Sequence, residues 1–205
     1  MAKPSSQGGP DAPLRVLLVA ETRSPTTYGW VNAVRSAGVI VIGPDGREWP
    51  DHPGAADGDW GLRNSVNRRL LAFSKATPGR LQVAQKLQRS VGPSLARRRG
   101  RRLRAVIRAV QPDLVHALRI PYEAVTAAAA CPLDVPLAVS VWGNDLTLQT
   151  VNPLTGKATR KVLARADLLF ADCQRDLDLA RDWDLRPAAA TLSLNFGLRM
   201  TMSVS

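Results

Sequence analysis

Short apolar runs recur along the chain, and amphipathic stretches separate them. Leu14–Ala20 reads LRVLLVA, Val39–Gly43 reads VIVIG, Asp113–Leu118 reads DLVHAL and Asp167–Cys173 reads DLLFADC, with further runs at Leu137–Val141 and Ala190–Asn195. Runs this short, rich in leucine and β-branched residues, predict strands buried on both faces. The stretches between them have helical spacing. Thr26–Ala37 places Trp30, Val31, Val34 and Ala37 at helical intervals and then meets Gly38, a helix-ending residue. Tyr122–Ala130 is alanine-rich and follows Pro121, Leu154–Ala164 carries Lys and Arg on its outer face, and Arg175–Trp183 reads as another helix. Strands alternating with helices predict an α/β fold, a Rossmann-like doubly wound parallel sheet with helices on both faces.

The rhythm lapses in one region. Pro44 to about Gly61 holds prolines, glycines and acids without a period and reads as loop, followed by helical stretches at Arg63–Leu71, Leu81–Val91 and about Ser94–Val110. Residues 1–13, MAKPSSQGGPDAP, read as a flexible lead-in with no apolar segment of the signal-peptide kind. The expected organisation is a lead-in at 1–13, one domain at 14–195, and a tail at 196–205.

Composition narrows the setting. The chain has 205 residues, 45% of them hydrophobic, enough for one domain with a true core. With 28 Lys and Arg against 17 Asp and Glu, the formal charge is +11, which favours anionic partners. No stretch approaches the ~18 uninterrupted apolar residues of a membrane span. The two cysteines, Cys131 and Cys173, stand far apart in sequence and read as reduced thiols of a cytoplasmic protein.

Several chemistries are excluded or weakened by spacing. The turn after the first strand, ETRSPTTYG, has no G-x-G-x-x-G, and no G-x-x-x-x-G-K-[ST] occurs anywhere, so neither a dinucleotide fingerprint nor a P-loop is present. Ser24, Thr26 and Thr27 offer hydroxyls that either cap the following helix or meet a ligand. His52 and His116 have no metal-ligand spacing, so no metal site is expected. Of the D-x-D pairs, Asp57–Asp59 lies in a loop, whereas Asp176–Asp178 and Asp182–Asp184 fall on a helix, where i and i+2 diverge, and read as solvated acids. In the basic helix, Arg97, Arg101, Arg104 and Arg108 fall on one stripe beside Leu103, Val106, Ile107 and Val110. That stripe is either a solvated face or a contact for anionic lipid at the inner face of the membrane. The lack of interleaved aromatics argues against nucleic acid. VWGND, Val141–Asp145, ends a central strand where open α/β sheets bind ligands, and reads equally as a polyol-binding turn or a simple Asx turn under a Trp lid.

Taken together, SPTTYGWVNAVRSAGVIVIG, PDLVHA, VSVWGNDLTL, ARADLLFADC and RDLDLARDWDL, spanning Leu14–Leu185, resemble the N-terminal domain of GT-B glycosyltransferases of family 4. The resemblance implies one half of a GT-B fold that holds the acceptor. The other half would supply most nucleotide-sugar contacts, with no metal or cofactor beyond the donor substrate. It implies that Ser24, Pro25, Thr26 and Thr27 line the cleft, that Trp142, Gly143 and Asn144 contact substrate, and that His116 and Asp145 are the catalytic candidates. The sequence departs from the family pattern in the first loop, which is not glycine-rich, in Leu118 where many members have a second His, and in Trp142 where many have His. The chain continues past Asn195 as FGLRMTMSVS, so a missing C-terminal domain or a split partner chain is the expected complement. The alternative reading is a non-catalytic basic module docking on an anionic membrane or a partner protein.

Overall fold

Each apolar run of the sequence becomes a strand. The computed structural model describes residues 12–21, 24–51, 99–120, 123–143, 145–147, 153–193 and 201–203. Within them lie β1 (Arg15–Val19), β2 (Ile40–Ile42), β3 (Leu114–Leu118), β4 (Leu137–Val141), β5 (Leu168–Ala171), β6 (Ala190–Ser193) and a short β7 (Thr201–Ser203). The helices are α1 (Pro25–Ser36), α2 (99–110), α3 (Glu123–Ala130), α4 (Pro153–Arg165) and α5 (Gln174–Asp182). One sheet holds all the strands in the order β2-β1-β3-β4-β5-β6-β7. β1 to β6 are mutually parallel, and β7 adds an antiparallel edge against β6. That edge strand lies in the stretch expected to be only a tail. The helices at Arg63–Leu71 and Leu81–Val91 lie outside the described residues, as do His52, Asp57, Asp59, Arg97 and Asn144.

Alternation along each strand sends side chains to two cores. On one face Leu17, Val19, Val115, Ala117, Val139 and Val141 pack with Leu103 and Ile107 of α2 and with buried residues of α3, α4 and α5. On the other, Leu18, Ala20 and Leu118 pack with Tyr28 and Val31 of α1 and with Trp49. Helices therefore cover both faces, as the doubly wound pattern requires. Gly38 closes α1: at φ +80 it takes a backbone conformation that side chains disfavour, and its N–H reaches the Arg35 carbonyl at 2.9 Å.

The amino edge of the sheet is fixed by two aspartates of the same design. Asp113 and Asp167 each precede a strand, and each exchanges two hydrogen bonds with the first residue of the neighbouring strand. Arg15 N–H donates to the Asp113 carboxylate at 2.9 Å and Leu137 N–H to the Asp167 carboxylate at 2.8 Å, while the aspartate N–H groups donate back to the carbonyls of Arg15 and Leu137. These bonds set the register of β1 on β3 and of β4 on β5. Asp167 also pairs with Arg165 at 2.6 Å and Arg186 at 2.7 Å. Burial pushes its carboxyl up, but the Leu137 N–H and the two guanidinium groups outweigh that and hold it below the usual range.

The arginine stripe does not survive intact. Leu103 and Ile107 are buried and Val106 and Val110 half-buried, as the periodicity predicts. Arg104, however, turns to the end of α3, where its Nε and Nη2 donate to the carbonyls of Ala130 and Ala129 at 3.1 and 2.9 Å. The cation satisfies the unpaired carbonyls at the negative end of that helix, which a single-helix projection cannot anticipate. Arg101 and Arg108 remain exposed.

Two outcomes follow for stability. Replacing Asp167 by Ala is expected to lower the unfolding free energy by about 2 kcal/mol, since it strands a strand N–H and a partly buried guanidinium. Because the folded pKa is depressed, this contribution is complete above the ordinary carboxylate pKa and is lost as pH falls through the folded value, which urea midpoints measured across the acid range would reveal. Replacing Arg104 by Ala should cost about 1 kcal/mol, whereas Ala at Arg101 or Arg108 should leave the urea midpoint unchanged within error.

Candidate active site

Parallel strands bring their carboxyl ends to one edge, and the chain reverses its direction of winding between β1 and β3. From β1 it passes through α1 to β2 on one side, then returns to β3 on the other. The crevice of such a sheet opens at that reversal. Glu21 follows β1, Arg119 follows β3, Trp142 to Asp145 follow β4 and Asp172 follows β5. The edge is thus a ring of polar groups set on a rigid sheet.

Arg119 and Asp145 form its centre. Asp145 is 1% exposed, and its Oδ1 accepts from Arg119 Nη2 at 2.8 Å, with Nε 3.5 Å from Oδ2. The Trp142 N–H also donates to Asp145 Oδ2 at 3.3 Å, and the Asp145 N–H donates to the Trp142 carbonyl at 3.1 Å, closing a tight turn. Gly143 sits in that turn at φ +54, and no atom lies within 4 Å of the position its Cβ would take. Its N–H donates to Asp172 Oδ2 at 3.1 Å and its carbonyl accepts from Arg175 at 3.2 Å. Burial raises the Asp145 pKa above the usual carboxylate value, against the opposing pull of Arg119 and of the Trp142 and Ile120 N–H groups.

Arg119 itself stands at φ +94. A long side chain there carries backbone strain of ~1–3 kcal/mol, the kind of cost that concentrates at functional positions. Bonds on both sides hold it: its N–H donates to the Ser140 carbonyl at 3.0 Å, and its carbonyl accepts from Ala124 at 3.1 Å. Its side chain is half-exposed, with Asp145 beneath. Glu123, the first residue of α3, is partly buried, and burial pushes its carboxyl up to about 7 although Arg119 pulls the other way. Glu21 and Asp172 are further electrostatic neighbours of Arg119.

His116 occupies a different layer. It is 2% exposed in mid-strand, its Nε2 is 2.9 Å from Ser140 Oγ, and its ring meets Trp30 of α1 edge-on at 4.7 Å and Phe170 of β5 at 5.2 Å. Burial lowers its pKa to about 3, so the imidazole is neutral. His116 lies beneath the crevice floor, two residues inboard of the strand end.

Of the first-loop residues, Ser24 precedes α1 with no side-chain cap bond, Pro25 and Thr26 are exposed, and Thr27 is buried against the sheet. Trp142 is half-buried on the α1-side core, as a lid would be. Asp176, read from the sequence as solvated, is 1% exposed; the adjacent Arg175 pairs with its Oδ1 at 2.8 Å, and its Oδ2 is buried without a partner among the described residues. Asp178 does face solvent, paired with Arg181. Arg119 and Glu123 were missed by sequence reasoning. Their signal was present in LRIPYE, charged groups directly after an apolar strand, the feature that singled out VWGND.

Among the described residues no group of three or more His, Cys, Asp or Glu side chains is placed to hold a metal ion, and no helix is long and apolar enough to cross a membrane. The family model of the glycosyl transferase 4-like domain matches residues 15–194. The chain belongs to the glycosyl transferase 4-like domain family. The six parallel strands and their covering helices form a Rossmann-like domain of the N-terminal type of GT-B glycosyltransferases of family 4, and glycosyl transfer is the family's general activity. No curated protein and no solved structure matches the chain.

The two buried titrations have opposite signs. His116 should show one neutral tautomer throughout the range of about pH 5–8 by nitrogen NMR, with an unfolding penalty that grows only as pH falls from 6.5 toward about 3. Glu123, whose folded pKa is raised from 4.5 to about 7, should show a carboxyl carbon midpoint near neutrality and lose stability as pH rises through that interval. An ordinary carboxylate midpoint for Glu123 would contradict the enclosure described for it.

Proposed function

We propose that the chain supplies the acceptor side of a nucleotide-sugar-dependent glycosyl transfer. The observation that carries the reading is the Arg119–Asp145 pair across the carboxyl ends of β3 and β4, next to the β1/β3 reversal, in a sheet that belongs to a glycosyltransferase family. Asp145 would orient Arg119 and the Trp142–Gly143 turn against the acceptor, with Asn144 carried on the same turn. Ser24, Pro25, Thr26 and Thr27 would border the crevice from the first loop. His116 would act from below by fixing Ser140 and Trp30, and Glu123, whose carboxyl burial raises to about 7, would take or return a proton at an acceptor hydroxyl.

The donor diphosphate would be held elsewhere, on a second Rossmann-like unit in cis or on a partner chain. A diphosphate needs glycine-lined backbone N–H groups or a basic clamp. The first loop lacks the glycines, and Arg119 is already paired and ringed by Glu21, Glu123 and Asp172. The exposed Arg101 and Arg108 on α2 support a second role, attachment of the domain to an anionic membrane surface.

Two assays on the full chain test the acceptor-side reading. Binding to an array of immobilised glycans and polyols is expected. Calorimetric titration with uridine, guanosine and adenosine diphosphate sugars should show no binding tighter than about millimolar. Micromolar affinity for any of these donors, with no binding on the array, would overturn the assignment.

A further inference from the structure

The overall charge of the chain and the charge of its crevice point in opposite directions. The chain is +11, which alone would recommend an anionic acceptor. Among the described residues at the end of β3, the half-exposed guanidinium of Arg119 is bound to the buried Asp145, and the other groups that influence it are the carboxyl groups of Glu123, Glu21 and Asp172. The next arginine along the edge, Arg175, is engaged with Asp176 and the Gly143 carbonyl. Among the described residues, an entering phosphate or carboxylate would find Arg119 and Arg175 already paired and several acids around them. A neutral polyhydroxylated molecule fits better, because each hydroxyl both donates and accepts.

The geometry of Arg119 gives the second half of the argument. Asp145 takes Nη2, and Nε is close to its other oxygen, so the pair lies along one side of the guanidinium plane. Among the described residues no carboxylate or carbonyl is bonded to Nη1. The bond from its N–H to Ser140 and the bond from Ala124 to its carbonyl fix the Arg119 backbone at φ +94 just past the end of β3. The strain would be removed by glycine, yet arginine is present. We propose that Arg119 is a specificity-determining residue, donating through its free edge to adjacent hydroxyl oxygens of a neutral polyol acceptor. Asp145 positions it, and the flanking carboxylates accept from the same hydroxyls and exclude anionic acceptors.

This inference rests on the acceptor-side reading. Its test observes the Arg119 side chain directly. The Nε–Hε resonance of Arg119 in the full chain is followed while methyl α-glucopyranoside, myo-inositol and inorganic phosphate are added in separate titrations. At least one of the two polyols is expected to shift it saturably, and phosphate is not. Arg119→Lys keeps the charge but loses the planar fork, and should weaken polyol binding, read from amide shifts, by about tenfold or more. The double variant Arg119→Gly, Asp145→Asn accommodates φ +94 and leaves no unpaired acid, so it should fold and lose polyol binding altogether. The proposal is overturned if phosphate shifts Nε–Hε while neither polyol does, or if Arg119→Lys binds the polyol as well as the parent. Array binding that persists unchanged in the glycine variant would remove Arg119 but keep the acceptor-side reading. A polyol response at Arg119 together with micromolar donor binding would keep Arg119 and remove that reading.

Discussion

The direction of six strands governs the rest of the molecule. Because β1 to β6 all run the same way, every connection must cross a face of the sheet, and every strand must release its chain at the same edge. The two edges then specialise. The amino edge is locked, with Asp113 and Asp167 pinning neighbouring strands through reciprocal backbone bonds. The carboxyl edge carries strain instead of register bonds: Arg119 and Gly143 both follow their strands at positive φ, and Arg119 and Asp145 pair across the ends of β3 and β4. A single topological fact thus separates the part of the sheet that provides stability from the part that can recognise a ligand.

Electrostatics divides the molecule in the same way. Among the described residues, a group of arginines lies away from the crevice, on α2 and on the flanks of α4 and α5, where pairs such as Arg160–Asp184 and Arg181–Asp178 lie in solvent and contribute little. Inside the edge the balance is reversed. Burial holds Asp145, Glu123 and Asp172 above their ordinary pKa values, and Arg119 among them is paired with Asp145. Net charge is informative about surfaces and encounter, and it misleads about a site whose few groups are desolvated.

The sequence was readable where burial is two-sided. Leu137–Val141 is apolar throughout because both its faces are covered, and its bounds agree with the strand to the residue. The Gly38 stop and the Leu103–Ile107 face of α2 were equally legible, since each depends on local conformation or on one helix's own period. The failures are all interactions between elements. Arg104 is a cap for a helix that begins some twenty positions later in the chain, and β7 is a pairing that Thr-Met-Ser does not signal. The crevice was half legible. The rule about strand ends singled out Ser24–Thr27 after β1 and Trp142–Asp145 after β4, but it was not carried to the end of β3, which left out Arg119, next after that strand, and Glu123, the first residue of α3, while His116 lies buried within β3.

The central claim is that the carboxyl edge of this glycosyl transferase 4-like domain is an acceptor-binding surface. Hydrogen–deuterium exchange on the full chain, with and without whichever polyol or glycan binds, tests it most directly. Ligand is predicted to slow exchange at the ends of β1, β3 and β4, in peptides covering Ala20–Glu21, Leu118–Glu123 and Trp142–Asp145, and to leave the Asp167 region untouched. Protection confined to α2 or to the amino edge would contradict it.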